Sequence, residues 1–125
     1  MQSRSFHALE TPIAGRVIQL NKILLNATTL PVKRIQHTYC DTLLKNGSLL
    51  FTYAMRQLKG KDYKKRALEV IEEIQAMSYL IYSMQGWSSK VMTSIDVLCD
   101  DIASQICRLD SARIIKSKDE DERAC

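Results

Sequence analysis

Glycine and proline are scarce, at four and two residues among 125. An all-β fold needs many tight turns built from those residues, so their scarcity points to helices. Histidine occurs twice, and His37 and Cys40, three apart on one helix face, would need further ligands to hold a metal. The Glu-x-x-His pair of di-iron bundles is absent. The glycines at 15, 47, 60 and 86 form no phosphate loop. No uncharged apolar run reaches membrane-spanning length; 74–89 comes nearest but contains Gln, Ser and Gly. Residues 1–10 carry no apolar segment of the secretory type. The cysteines at 40, 99, 107 and 125 make no Cys-x-x-Cys pair, which suits reduced thiols and a cytoplasmic setting. Neither a metal, a cofactor nor a membrane partner is expected.

What is present is a globular composition, 46% hydrophobic and 26% charged. The length fits one domain with one sizeable core. The net charge is +4, but Asp119-Glu-Asp-Glu-Arg-Ala-Cys125 is acidic, and residues 1–118 hold 17 Lys and Arg against 10 Asp and Glu. The expected organisation is a single domain over 1–118 followed by an acidic, disordered tail over 119–125. A basic body favours an anionic partner.

Four stretches show helical periodicity. The first covers about 12–29, with Pro12 in the opening turn and Ile13, Val17, Leu20, Leu24 and Ala27 on one face. Leu30-Pro31 ends it, since a residue before proline avoids the helical region. The second runs from 32 or 33 to 58 or 59 along Ile35, Tyr39, Leu43, Gly47, Leu50, Ala54 and Leu58, widened by a neighbouring row of Cys40, Leu44, Phe51 and Met55, with Gly47 as a close-packing point inside the helix. Gly60 terminates it and Asp62 is the expected N-cap of the third. The third follows Ala67, Val70, Ile71, Ile74, Met77, Ile81 and Met84 to Gly86. The fourth, capped by Ser88 or Ser89, follows Val91, Ile95, Leu98, Ile102, Ile106 and Leu109. Short connections make neighbours antiparallel, so the fold expected is an all-α, up-down-up-down four-helix bundle.

That topology gathers cations at one pole. Lys59, Lys61, Lys64, Lys65 and Arg66 lie at the junction of the second and third helices. Arg108, Arg113, Lys116 and Lys118 arrive with the end of the fourth, and Arg16 lies one turn into the first. A one-ended basic patch is a phosphate-binding footprint. Only Tyr63 interleaves an aromatic ring, which argues against base stacking along a single strand. A second signal is missing charge: 74–89 holds no ionised side chain over sixteen positions. A helix apolar on most faces needs a second neighbour, so an oligomer interface is expected at Tyr79, Leu80, Tyr82 and Trp87. Adjacent carboxylates at Glu72-Glu73 and Asp100-Asp101 read as solvated helix faces. No catalytic group can be nominated, and the chain is not expected to be an enzyme.

The ordered pattern resembles the accessory variability determinant (Avd) proteins of diversity-generating retroelements, over about 18–116. The features that carry it are Leu30-Pro31, the long second helix ending Arg56-Gln57-Leu58-Lys59-Gly60, Ala67-Leu68-Glu69-Val70-Ile71, and Ile102-Ala103-Ser104-Gln105-Ile106. Where family members often carry arginines in the third helix, this chain has Ser78, Tyr79 and Tyr82. Cys107-Arg108-Leu109 replaces their Gly-x-Trp. The resemblance implies a homopentameric barrel that binds a reverse transcriptase and its template RNA, without catalysis of its own, during mutagenic cDNA synthesis. A rival reading from the residues is a helical protein–protein adaptor with no nucleic-acid role, its apolar face receiving a partner helix.

Overall fold

A computed structural model describes residues 11–113, with side chains as far as Leu109. The described chain is all-helical. Helix α1 is Pro12–Ala27. Helix α2 covers 33–58 in three consecutive stretches: α-helical Lys33–Ile35, π-helical Gln36–Cys40 and α-helical Asp41–Leu58. Helix α3 is Lys64–Ser83 and α4 is Ser89–Arg113. Each helix packs on the next in sequence, and α1 closes the ring against α4. The result is the antiparallel four-helix bundle expected.

Local chemistry explains most helix ends. Thr11 caps α1, its Oγ1 accepting from the Ala14 N–H at 3.2 Å, and Pro12 opens the first turn. After α1, the Gln36 side-chain amide donates to the carbonyls of Pro31 (2.8 Å) and Thr29 (3.3 Å), which stitches the short linker to α2. Gly60, at φ 95°, closes α2 with paired bonds, its own N–H to Gln57 O and the Lys61 N–H to Arg56 O, both at 3.0 Å. Ser88 Oγ accepts from the Val91 N–H at 3.3 Å ahead of α4.

Three expectations are corrected here. Asp62 is exposed and does not cap α3. The capping position is Tyr63, whose N–H is bound at 2.7 Å by Oε1 of the buried Gln57. Ile35 and Tyr39, expected at the head of the core stripe of α2, are only half-buried against the core. Cys40, on the row beside that stripe, is buried in line with Leu43, Gly47, Leu50, Ala54 and Gln57 at ordinary helical steps, and the π turn over 36–40 changes the helix phase ahead of them. Helix α3 ends at Ser83 rather than at Gly86, and the left-handed residue of its closing turn is Gln85, at φ 65°. The Gln85 N–H reaches Tyr82 O at 2.9 Å and the Gly86 N–H reaches Ile81 O at 2.8 Å, the same bond pair as at Gly60. Gly86 is needed for space: a Cβ there would lie 2.6 Å from Ile81 Cγ2 and 3.1 Å from Ile81 O.

The core is aliphatic. Val17, Leu20 and Leu24 of α1 meet Leu43 and Leu50 of α2, Ile71, Ile74 and Ile81 of α3, and Ile95, Ile102 and Ile106 of α4, all 2% exposed or less. Gly47 lies where α1 and α2 cross closely. The Asn21 side-chain amide bridges the crossing, donating at 3.0 Å to both Val17 O and Gly47 O. Cys40 and Cys99 are buried free thiols; burial, with Asp96 and Asp100 adding to it, pushes Cys99 up to about 12.

Candidate nucleic-acid interface at one pole

The pole is assembled from the start of α1, the end of α2, the start of α3 and the end of α4. A cleft of about 460 Å³ marks the meeting, lined by Thr11, Pro12 and Ile13, by Leu58, and by Gln105, Arg108 and Leu109. Beside it the α2–α3 turn exposes Lys59, Lys61, Lys65 and Arg66.

Tyr63 organises this turn. Its ring stacks on Tyr53, with centroids 5.4 Å apart and planes 29° apart. The Arg56 guanidinium lies 5.1 Å from the Tyr63 ring centroid and that of Arg66 lies 5.2 Å from it. Arg56 Nη1 also donates to the Tyr63 hydroxyl at 3.0 Å. Two guanidinium groups are thereby held around one ring from two different helices. Charge counting over 59–66 missed Arg56, which precedes that cluster. Its sequence signal is helical spacing, three residues after Tyr53 and three before Lys59.

The expected cations divide on inspection. Lys59, Lys61, Lys65, Arg66 and Arg108 are exposed, with Arg108 Nη1 donating to Ser104 Oγ at 2.9 Å. Lys64 is only 6% exposed and is corrected from a surface contact to an interior residue. Its position explains this, since Lys64, Ala67, Ile71, Ile74, Ser78 and Ile81 form one buried stripe. Arg16, expected among the binding cations, is exposed but already has an anionic partner. Its Nε is paired with Asp101 Oδ2 at 2.7 Å, tying α1 to α4. Hydrogen bonds from Arg16, and then from Gln105, hold the Asp101 carboxyl below its ordinary value. The Arg113 side chain, Lys116, Lys118 and the acidic tail lie outside the described residues.

The four residues expected at an outer face also divide. Tyr79 is 60% and Leu80 40% exposed, and the Tyr79 and Tyr82 ring centroids are 6.1 Å apart. Tyr82 is half-buried against the core. Trp87 is corrected to the interior. It is 6% exposed, and its indole Nε1 donates to Ser78 O at 3.2 Å across the α3–α4 turn.

Among the described residues no group of three or more His, Cys, Asp or Glu could hold a metal ion. No described helix is long and apolar enough to cross a membrane. The fold and pole together define an all-α bundle with a cationic end. Comparison with protein-family models, curated proteins and solved structures gives no match.

Proposed function

We propose that this chain is a non-catalytic accessory protein of the Avd type, which binds a reverse transcriptase and its template RNA. The observation that carries the reading is the guanidinium and lysine cluster around Tyr63, clear of the residues that close the core. Arg56, Lys59, Lys61, Lys65 and Arg66 offer charge to phosphates, and nothing in their arrangement reads base edges. The work of such a protein is electrostatic scaffolding: it holds an RNA and a polymerase together while the polymerase performs the chemistry. Assembly into a homopentameric barrel belongs to the same proposal, as does action in the cytoplasm. In a barrel the poles of several copies would present one larger cationic surface.

The test is RNA affinity as a function of salt, with a structured RNA as probe. Neutralising about four phosphates gives a log–log slope of roughly −3, or about a hundredfold loss between about 50 and about 200 mM salt. Charge reversal at Lys61 and Lys65 should remove about one and a half units of slope without changing helicity or assembly mass. Lys64 is unsuitable for this test because it is buried. Salt-independent affinity would refute the phosphate mechanism. RNA binding with no capture of the cognate polymerase would refute the accessory role while leaving the pole intact.

A further inference from the structure

The outer face between α1 and α2 carries a feature that the basic pole does not use. Ile18 and Leu25 on α1 and Phe51 on α2 line an open groove of about 440 Å³, with Asn21, Lys22, Ser48 and Thr52. Leu25 is 63% exposed and Ile18 38%. They lie seven residues apart on one helix, a separation of about 10 Å or two turns. The Asn21 amide, bound to Gly47 O, is part of the tight crossing of the two helices beneath the groove. So wide and open an apolar trough suits an extended apolar stripe better than a small polar molecule.

The charges beside the groove select its occupant. Over 12–58 the chain carries six Lys and Arg and one carboxylate, Asp41, whereas 64–109 carries five Lys and Arg against six Asp and Glu. Two of those six cations face elsewhere, Arg16 paired with Asp101 of α4 and Arg56 held against Tyr63. Lys22 lines the groove itself. Lys45 shares a helical stripe with Ser48 and Thr52, and Asp41 lies on that stripe two turns before Ser48. From this complementarity we infer that the α1–α2 groove is a docking site for an amphipathic helix of a protein partner. Its apolar residues repeat at i, i+3 or i+4, and i+7, and acidic residues flank them. Leu25 and Ile18 bracket the apolar repeat, and Lys22 and Lys45 meet the flanking carboxylates. This surface is separate from the Tyr63 cluster and stands whether or not that pole binds RNA.

The experiment is selection from a phage-displayed library of amphipathic helices with randomised flanking charge, followed by anisotropy on the enriched peptides. The full chain serves as bait. Enrichment of peptides with acidic flanks is expected. Leu25→Asp should weaken them at least about tenfold, the loss of one buried leucine anchor. Lys22→Glu should shift the preference away from acidic flanks. Leu25 is mostly exposed, so its replacement leaves the core untouched, which far-UV circular dichroism checks. No enrichment, enrichment indifferent to flank charge, or binding insensitive to Leu25→Asp would overturn the proposal. Two further outcomes would overturn it by reassigning the groove. If Leu25→Asp lowers the solution mass, the occupant is a second copy of this chain. If it abolishes binding to anionic vesicles, the face belongs to a lipid surface.

Discussion

Gly15 and Gly47 both stand inside helices, and replacing each with alanine should move stability in opposite directions. In a helix interior alanine is favoured over glycine by about 1 kcal/mol, because glycine loses more backbone freedom on folding. At Gly15 nothing lies within 4 Å of an added Cβ. Gly15→Ala should therefore gain about 0.5–1 kcal/mol. At Gly47 the same atom would fall 2.6 Å from Asn21 Oδ1 and 3.2 Å from Leu24 Cδ1. Asn21 cannot simply swing aside, because its amide holds Val17 O and Gly47 O at 3.0 Å each. Moving it forfeits two hydrogen bonds at about 1 kcal/mol each, and crowding Leu24 adds about 1 kcal/mol or more. Set against the propensity gain, Gly47→Ala should lose about 1–3 kcal/mol. For a domain of this size that is a fall in Tm of about 4–12 °C, against a rise of about 2–4 °C for Gly15→Ala. Thermal and urea unfolding followed by circular dichroism measure both. A double-mutant cycle sharpens the test: with Asn21→Ala in the background, Gly47→Ala should cost at least about 1 kcal/mol less. Equal stability changes at the two glycines, or a cycle with no coupling, would refute the close-crossing account.

Other consequences follow from single sites. Ser78 Oγ is buried without a hydrogen-bond partner, so Ser78→Ala should stabilise the fold by about 1 kcal/mol, read from the urea midpoint at unchanged slope. Gln85 holds φ 65°, a region costing a side-chain-bearing residue about 1 kcal/mol, so Gln85→Gly should be neutral to stabilising while Gln85→Val should destabilise, both by thermal melt. The Asp101 carboxyl is depressed below its ordinary 3.8 by Arg16 and Gln105. Its contribution is complete above that value and fades as pH falls through the lower folded-state pKa, so Asp101→Asn should flatten the acid limb of the stability–pH curve and leave its alkaline limb unchanged.

Much of the pole was legible along the chain because helix boundaries and short connections dictate which ends meet. Lys59, Lys61, Lys65, Arg66 and Arg108 reach solvent there, as counting charges at that end anticipates. Lys64 and Arg16 depart from that simple count for different reasons. Lys64 belongs to the buried stripe, which its spacing to Ala67 and Ile71 could have revealed. The pairing of Arg16 with Asp101, 85 positions away, depends on the facing of α1 and α4, which no local pattern records. Arg56 falls outside the 59–66 count because its partner ring enters from beyond the turn.

Periodicity, Pro12, Leu30-Pro31 and Gly60 determined the number of helices, their order and the aliphatic stripes, because each acts through neighbours three or four residues away. Only the tertiary structure decided which residues fill gaps between helices. Gln57 rather than Asp62 holds the start of α3, Trp87 turns inward to Ser78, and a π turn interrupts α2 over 36–40. The exposed apolar face likewise falls not only at Tyr79 and Leu80 but along α1 at Ile18 and Leu25. Burial of a side chain depends on how close the neighbouring helix comes, and that distance is set by packing at sites such as Gly47.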